Sequence, residues 1–358
     1  MGGGGLLGSV QNEMSDSDLQ ATARALLSQI GIAGAPTIER LAGGSNNKVF
    51  RLDVGGRSFC LKMYFRHAAD PRDRLRTEFD FATFAWSKGL RGLPQPLAFD
   101  AVLGAGLFEF VAGRRLASTE VDAPAVREII AFHRALNRYR DEPGAQSLPP
   151  ASDSCFSVAD NIACLDRRLG RLAAIHAGDP LEKDALQIVY QHLAPACSDA
   201  KDALIRGAEG QDWAAPLAQS ERWLSVSDIG FHNALCSDAG AIRLFDFEYA
   251  GWDDPAKTIA DLFGQPEVPV PMAFFEPAVA AVASDFAAPE RVQARARLLL
   301  PLHRLKWCCI VLNEFLPVGG DRRAFAADGE QRERQRVLQL QKARGILASF
   351  SEVSAGSP

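Results

Sequence analysis

Residues 223–261 read WLSVSDIGFHNALCSDAGAIRLFDFEYAGWDDPAKTIAD. Asp228 is followed five residues later by Asn233, and Asp246 comes thirteen residues after that. Leu224 and Val226 precede the first, Leu235 follows the second, and Leu244 and Phe245 precede the third. Polar groups at the edges of short apolar strands stand at the mouth of a core, where they can meet a ligand. Two carboxylates and an amide in this order suit phosphoryl transfer. One carboxylate, Asp228, would hold and deprotonate an attacking hydroxyl, while Asp246 and the Asn233 amide oxygen would hold Mg²⁺ on the phosphates. Taken alone, an Asp and an Asn at this spacing read first as turn- and loop-supporting residues; the rest of the chain changes that reading.

Upstream, residues 16–31 carry a helical period, with Ser17 as the expected cap. The period then shortens. Thr37–Leu41, Lys48–Val54 and Arg57–Phe65 read as strands, with Gly55-Gly56 as a two-residue hairpin turn. Lys62 lies in the third strand, on the face opposite Phe59, Leu61 and Met63. A helix is expected from about Asp73 to Lys88, with a stripe of Leu75, Phe79, Ala82 and Trp86, and it carries Glu78. Two further strands are expected near Gln95–Phe99 and Gly106–Val111. From Asp122 onward helices dominate: one capped by Asp122 with Val126, Ile129, Ile130, His133 and Leu136 inward, then 157–175, 181–206, 289–316 and 329–349, with short strands at Trp223–Ser227 and Ile242–Phe247. The fold class expected is α+β and bilobal: a small antiparallel β lobe with one main helix, then a larger helical lobe. The divisions expected are a flexible tail over 1–15, a nucleotide-binding lobe over 16–111, a catalytic lobe over 112–350 and a flexible tail over 351–358.

A strand lysine, a helix glutamate sixteen residues later and the distal Asp/Asn/Asp set occur in the order a kinase-like site needs. With these residues in place, the chain resembles the aminoglycoside phosphotransferase and choline kinase superfamily, relatives of protein kinases, over about residues 37–315. That family's loop reads His-Gly-Asp-x-His-x-x-Asn and continues to Ile-Asp-(Trp/Phe)-Glu. Here Ser227-Asp228-Ile229-Gly230-Phe231-His232-Asn233 and Phe245-Asp246-Phe247-Glu248 take those places. Val226 and Ser227 replace the His-Gly, and Gly230 replaces the internal histidine. The resemblance implies a protein-kinase-like fold and an ATP- and Mg²⁺-dependent transferase with an alcohol group as acceptor, with GTP left open as the nucleotide. It implies Asp228 as catalytic base, Asn233 and Asp246 as metal ligands, and Lys62, fixed by Glu78, on the α/β-phosphates. Gly43, Gly44, Ser45 and Asn46, within the segment Leu41–Asn47 and resembling the family's GG-x-x-N form, would form the phosphate-covering turn, since glycines let backbone N–H groups approach anionic oxygens. Glu109 and Val111 would form the hinge that meets the adenine edge.

Glu248, Trp252, Asp253, Trp307 and Glu314 are the candidate substrate pocket. Aromatics with carboxylates suit an amino sugar or amino alcohol, although Trp307 equally suits a core position. The bulk numbers agree with a small-molecule enzyme. A net charge of −5 argues against a nucleic-acid partner. No window approaches the roughly 18 apolar residues of a membrane span. Seven cysteines without a metal spacing read as free thiols of a cytoplasmic protein. The oligomeric state stays open. The rival expectation is a pseudokinase, a nucleotide-binding scaffold or regulator without catalysis, for which the altered residues 226, 227 and 230 are the support.

Overall fold

Ser15, rather than Ser17, starts helix α1 (Asp16–Gln29). Its Oγ accepts the Asp18 N–H at 3.2 Å, and the Asp18 carboxylate takes the Ser15 N–H at 3.3 Å. Only Ser15 has an acidic residue three positions on to close this reciprocal box. The structure, a computed structural model, describes residues 15–41, 47–66, 70, 72–208, 215–316 and 329–355. Strands β1 (Thr37–Arg40), β2 (Asn47–Val54) and β3 (Arg57–Tyr64) form a meander, and Gly55 and Gly56, at φ of 58° and 74°, make its tight turn. Helix α2 (Arg74–Ser87) and strands β4 (Pro96–Asp100) and β5 (Ala105–Glu109) complete the small lobe. The sheet has five strands in the order β1-β2-β3-β5-β4, every neighbour antiparallel. β5 stops at Glu109, the last residue paired with β3, short of the expected Val111.

Register decides which face does what. Phe50 lies opposite Leu61 and Leu52 opposite Phe59, and these join Leu107 and the Ala23, Leu26 and Leu27 of α1 in one apolar cluster. Strand alternation turns Lys62 and Tyr64 to the other face, where α2 lies. Helix α2 buries more than its expected stripe. Leu75 and Ala82 are buried, Phe79 and Trp86 only in part, while Phe81, Phe84 and Ala85 join the core of the large lobe. It is wedged between sheet and large lobe, so two of its faces are covered.

The large lobe is mainly helical: α3 (Ala123–Asn137), α4 (Pro143–Gln146), α5 (Val158–Arg171), α6 (Pro180–Ile188), α7 (Ala194–Gly207), α8 (Pro255–Gly264), α9 (Phe275–Ala283), α10 (Pro289–Leu312) and α11 (Gly329–Ala355). Asp122 caps α3 at 2.9 Å, and the expected stripe of Val126, Ile129, Ile130, His133 and Leu136 is buried. The single helix expected over 181–206 is broken by a π-helical turn, Val189–Leu193, just before Pro195, which lacks the N–H that a regular ladder needs. Helix α10 is the central post, packed against α5, α7, α8, α9 and α11. All seven cysteines are free thiols, and among the described residues no helix is long and apolar enough to cross a membrane.

A buried ionic network ties α8 to α10. Lys257 lies between Asp253 at 2.5 Å and Asp261 at 3.1 Å, and Asp261 also accepts from Lys306, from Trp307 Nε1 at 3.1 Å and from His303 Nδ1 at 3.1 Å. Asp254, the α8 N-cap, holds Arg295 at 2.5 Å. Removing one partner from such a set leaves uncompensated buried charge. Asp261→Ala is therefore expected to cost about 3–5 kcal/mol, read as a lower urea midpoint, and an unchanged midpoint would show that the network carries no stability.

Candidate active site

The loop that carries Asp228 is held between two small sheets. Strand β6 (Trp223–Ser225) pairs with β9 (Gly251–Asp253), and β7 (Ala234–Cys236) pairs with β8 (Ile242–Leu244). The expected strands at 223–227 and 242–247 are thus shorter, and β7 and β9 are their partners. Between β6 and β7 the chain bends sharply. Ser227 has φ of 64°, and the Asp228 N–H donates back to Val226 O at 2.8 Å. Ser227 takes this left-handed conformation, which ordinarily favours glycine, with its hydroxyl donating to Ser152 O at 3.2 Å. Asp246 is also left-handed, at φ of 68°, and the Phe245 N–H donates to Asn233 O at 3.0 Å. Two strained residues and one cross-link bring Asp228, Asn233 and Asp246 together.

Around Asp228 each carboxylate oxygen has its own donor. His232 Nε2 is 3.1 Å from Oδ1 and Asn233 Nδ2 is 3.1 Å from Oδ2, while Asn233 Nδ2 also donates to Asp228 O at 3.0 Å. Burial by itself would raise the Asp228 pKa, but the bonds and charge from His232, with Asn233, hold it below the ordinary aspartate value. Asn233 spends its NH₂ on Asp228, so its carbonyl oxygen points elsewhere.

The small lobe closes the other side. Lys62 Nζ is 2.6 Å from Glu78 Oε2 and 2.5 Å from Asp246 Oδ1, so one ammonium bridges helix α2 and the large lobe. Burial opposes its charge, but Asp246, Glu78 and Glu248 outweigh burial and raise its pKa. Burial, with Glu248 and Glu78 close by, raises the Asp246 pKa against the pull of Lys62. Tyr64 donates its hydroxyl to Glu78 at 2.7 Å. Asn47 Nδ2 donates to Glu248 at 2.7 Å, and Arg74 reaches Glu248 at 3.5 Å and Asp70 at 2.6 Å. Tyr64 and Arg74 were not among the expected site residues, whereas Asn47 closes the segment expected over the phosphates. The signals were present: Tyr64 is two residues beyond Lys62 on a strand, and Arg74 is one helical turn before Glu78.

The remaining expected residues separate. Glu248, placed by sequence in a substrate pocket, is 1% exposed and belongs to the cluster under Lys62. Trp252 is 5% exposed in β9, its Nε1 donating to Ala145 O at 3.0 Å. Asp253 is fully buried and accepts from Cys155 N, Asp254 N and Lys257. Both are turned inward because β9 is covered on both sides, so neither lines an open pocket. Trp307 is buried beside the Asp228 loop, edge-on to His232 at 6.3 Å, and Glu314 is buried in the 3₁₀ turn after α10. The Tyr249 ring is flanked by protein cations, Arg72 at 5.4 Å and Arg74 at 5.5 Å. In the hinge segment, Glu109 donates its N–H to Gln95 O at 2.8 Å and ion-pairs with Arg243 at 2.9 Å. Val111, just beyond, makes no backbone hydrogen bond among the described residues. Gly43, Gly44, Ser45 and Asn46 lie outside the described residues.

The sequence model of the phosphotransferase enzyme family matches residues 37–299, well over half of the chain, and the chain belongs to that family. No curated protein matches it by sequence. Similar solved structures include an ethanolamine kinase of Plasmodium vivax, at 14% identity and a TM-score of 0.56, covering 94% of this chain and 91% of that one. A spectinomycin phosphotransferase solved with ADP and spectinomycin gives 10% identity and 0.56, covering 91% and 98%. A choline kinase of Streptococcus pneumoniae gives 16% and 0.54, covering 92% and 99%. At these identities the likeness is one of fold, and it is the bilobal, protein-kinase-like fold.

Proposed function

We propose that this phosphotransferase moves the γ-phosphoryl group of ATP to a hydroxyl of a small sugar, amino sugar or amino alcohol, with Asp228 as base and Mg²⁺ held by Asn233 and Asp246. The observation that carries the reading is the bridge of Lys62 to both Glu78 and Asp246, set beside the Asp228–Asn233 pair. Three carboxylates, Glu78, Asp246 and Glu248, gather around the one ammonium of Lys62, and even with the nearby Arg74 guanidinium such a site suits an added cation. Among the described residues no three acidic, His or Cys side chains form a metal cage. Mg²⁺ takes one or two protein carboxylates and completes its shell with phosphates and water. Asp246 and the Asn233 carbonyl oxygen are the hard-oxygen donors at hand.

Lys62, steadied by Glu78, would meet the α/β-phosphates, and the open Val111 backbone would meet the adenine edge. Gly43, Gly44, Ser45 and Asn46 stay in the proposal as the turn over the phosphates. Bound Mg²⁺ supplies charge neutralisation on the phosphates. Asp228 orients the acceptor hydroxyl and takes its proton as the new P–O bond forms and the bond to the ADP oxygen breaks. The test is a screen of alcohols, sugars and amino alcohols with Mg·ATP, read by mass spectrometry as the gain of one phosphate together with ADP release that depends on the acceptor. Nucleotide binding without transfer to any of them would favour the second reading, a non-catalytic nucleotide-binding module. The departures at Val226, Ser227 and Gly230 are what supports it.

A further inference from the structure

Nothing in the family's loop pattern accounts for His232. That pattern has its histidine two residues after the aspartate, where this chain has Gly230; here the imidazole comes four residues after Asp228. The two changes fit each other. A Cβ on Gly230 would lie 2.5 Å from His232 Nδ1, so the glycine leaves the space that the ring fills. Trp307 meets the ring edge-on at 6.3 Å, and Arg115 donates to His232 O at 3.2 Å. Placed this way, Nε2 is 3.1 Å from Asp228 Oδ1, while Nδ1 is buried with no hydrogen-bond partner among the described residues. The ring therefore spends its one side-chain hydrogen bond on the Asp228 carboxylate. Carboxylate rotation about Cβ–Cγ is soft. Asn233 alone would hold Oδ2 and leave the plane free to swing; a second donor on Oδ1 fixes it.

We propose that His232 is a positioning residue for Asp228. Its Nε2–H pins Oδ1 so that the carboxylate presents one fixed lone-pair direction to the acceptor hydroxyl. The inference rests on the phosphotransferase reading above, and His232 keeps its proton throughout: the acceptor proton goes to Asp228, the acceptor oxygen bonds phosphorus, and ADP leaves.

The test uses the full chain with Mg·ATP and water as acceptor, following phosphate release. His232→Leu is expected to lower kcat by about 10- to 100-fold, the scale of a misplaced catalytic group, with KM for Mg·ATP changed by less than about twofold. His232→Gln, whose amide N–H reaches a similar point, should recover most of the loss. If His232→Leu fails to fold, Gly230→Ala replaces it, since its Cβ drives the ring off Asp228, and the same fall is expected. Wild-type turnover in either variant overturns the proposal, as does a Gln variant no better than Leu. Asp228→Asn separates the two levels. Phosphate release lost in Asp228→Asn but kept in His232→Leu removes only the positioning role. Release kept in Asp228→Asn removes Asp228 from the chemistry and this inference with it. Release absent from the wild-type chain moves the same comparison to the acceptor found in the screen above, and a wild-type chain that transfers to none of those acceptors overturns the kinase reading and this inference together.

Discussion

Asp228→Asn should bind Mg·ATP within about twofold of the wild-type chain and transfer phosphate about 10³-fold more slowly, the middle of the range for a lost general base. The substitution is nearly isosteric. The Asn carbonyl can still accept one of the two donors, His232 Nε2 or Asn233 Nδ2, that now hold the carboxylate oxygens. What disappears is the anion that takes the acceptor proton. Asp228 is held below the usual aspartate pKa, so it is a weak base whose value lies in placement. That suits a loose transition state in which the proton moves late. The nucleotide contacts proposed for Lys62 and Val111 are on other elements, so affinity for Mg·ATP by calorimetry should barely move. A variant that keeps near-wild-type transfer to its own acceptor would remove Asp228 from the chemistry, whatever the fold.

The parts of this site that were legible in the sequence are those set by local periodicity or fixed spacing. Lys62 was readable because strand alternation puts it opposite Phe59, Leu61 and Met63, and those apolar residues chose the α1 side. Glu78 followed from the helix after it. Trp252 and Asp253 were not readable. Whether an aromatic or acidic residue faces a pocket or the core depends on β9 pairing with β6, a contact between distant segments that no local pattern reports. Helix α8 was missed for a related reason. All ten of its residues are buried, and its charged face of Lys257 and Asp261 meets ion-pair partners on β9 and α10 rather than water, again a contact between distant segments. The partner of His232 was hidden because a loop has no period; the structure shows it to be Asp228, with the ring in the space that Gly230 leaves.

Asp246→Ala is expected to abolish the dependence of ATP binding on Mg²⁺. In the wild-type chain, calorimetric affinity for ATP should be far higher with Mg²⁺ than with EDTA; in the variant the two should converge. Transfer should fall by at least about 10³-fold, as both positioning and charge neutralisation at the phosphates are lost. The argument is electrostatic. Asp246 is the least buried member of the carboxylate group beside Lys62, with 30% of its side chain exposed, whereas Glu78 and Glu248 are buried and committed to Tyr64, Asn47 and Arg74. It is therefore the carboxylate with room for a cation. The fold should survive, because Lys62 keeps Glu78 at 2.6 Å when Asp246 is gone. Adenosine serves as the control. It has no phosphates, so its affinity should be equal in both proteins. Equal Mg²⁺ dependence in variant and wild type would place the metal elsewhere, and a matching loss of adenosine binding would mean that the cleft itself had collapsed.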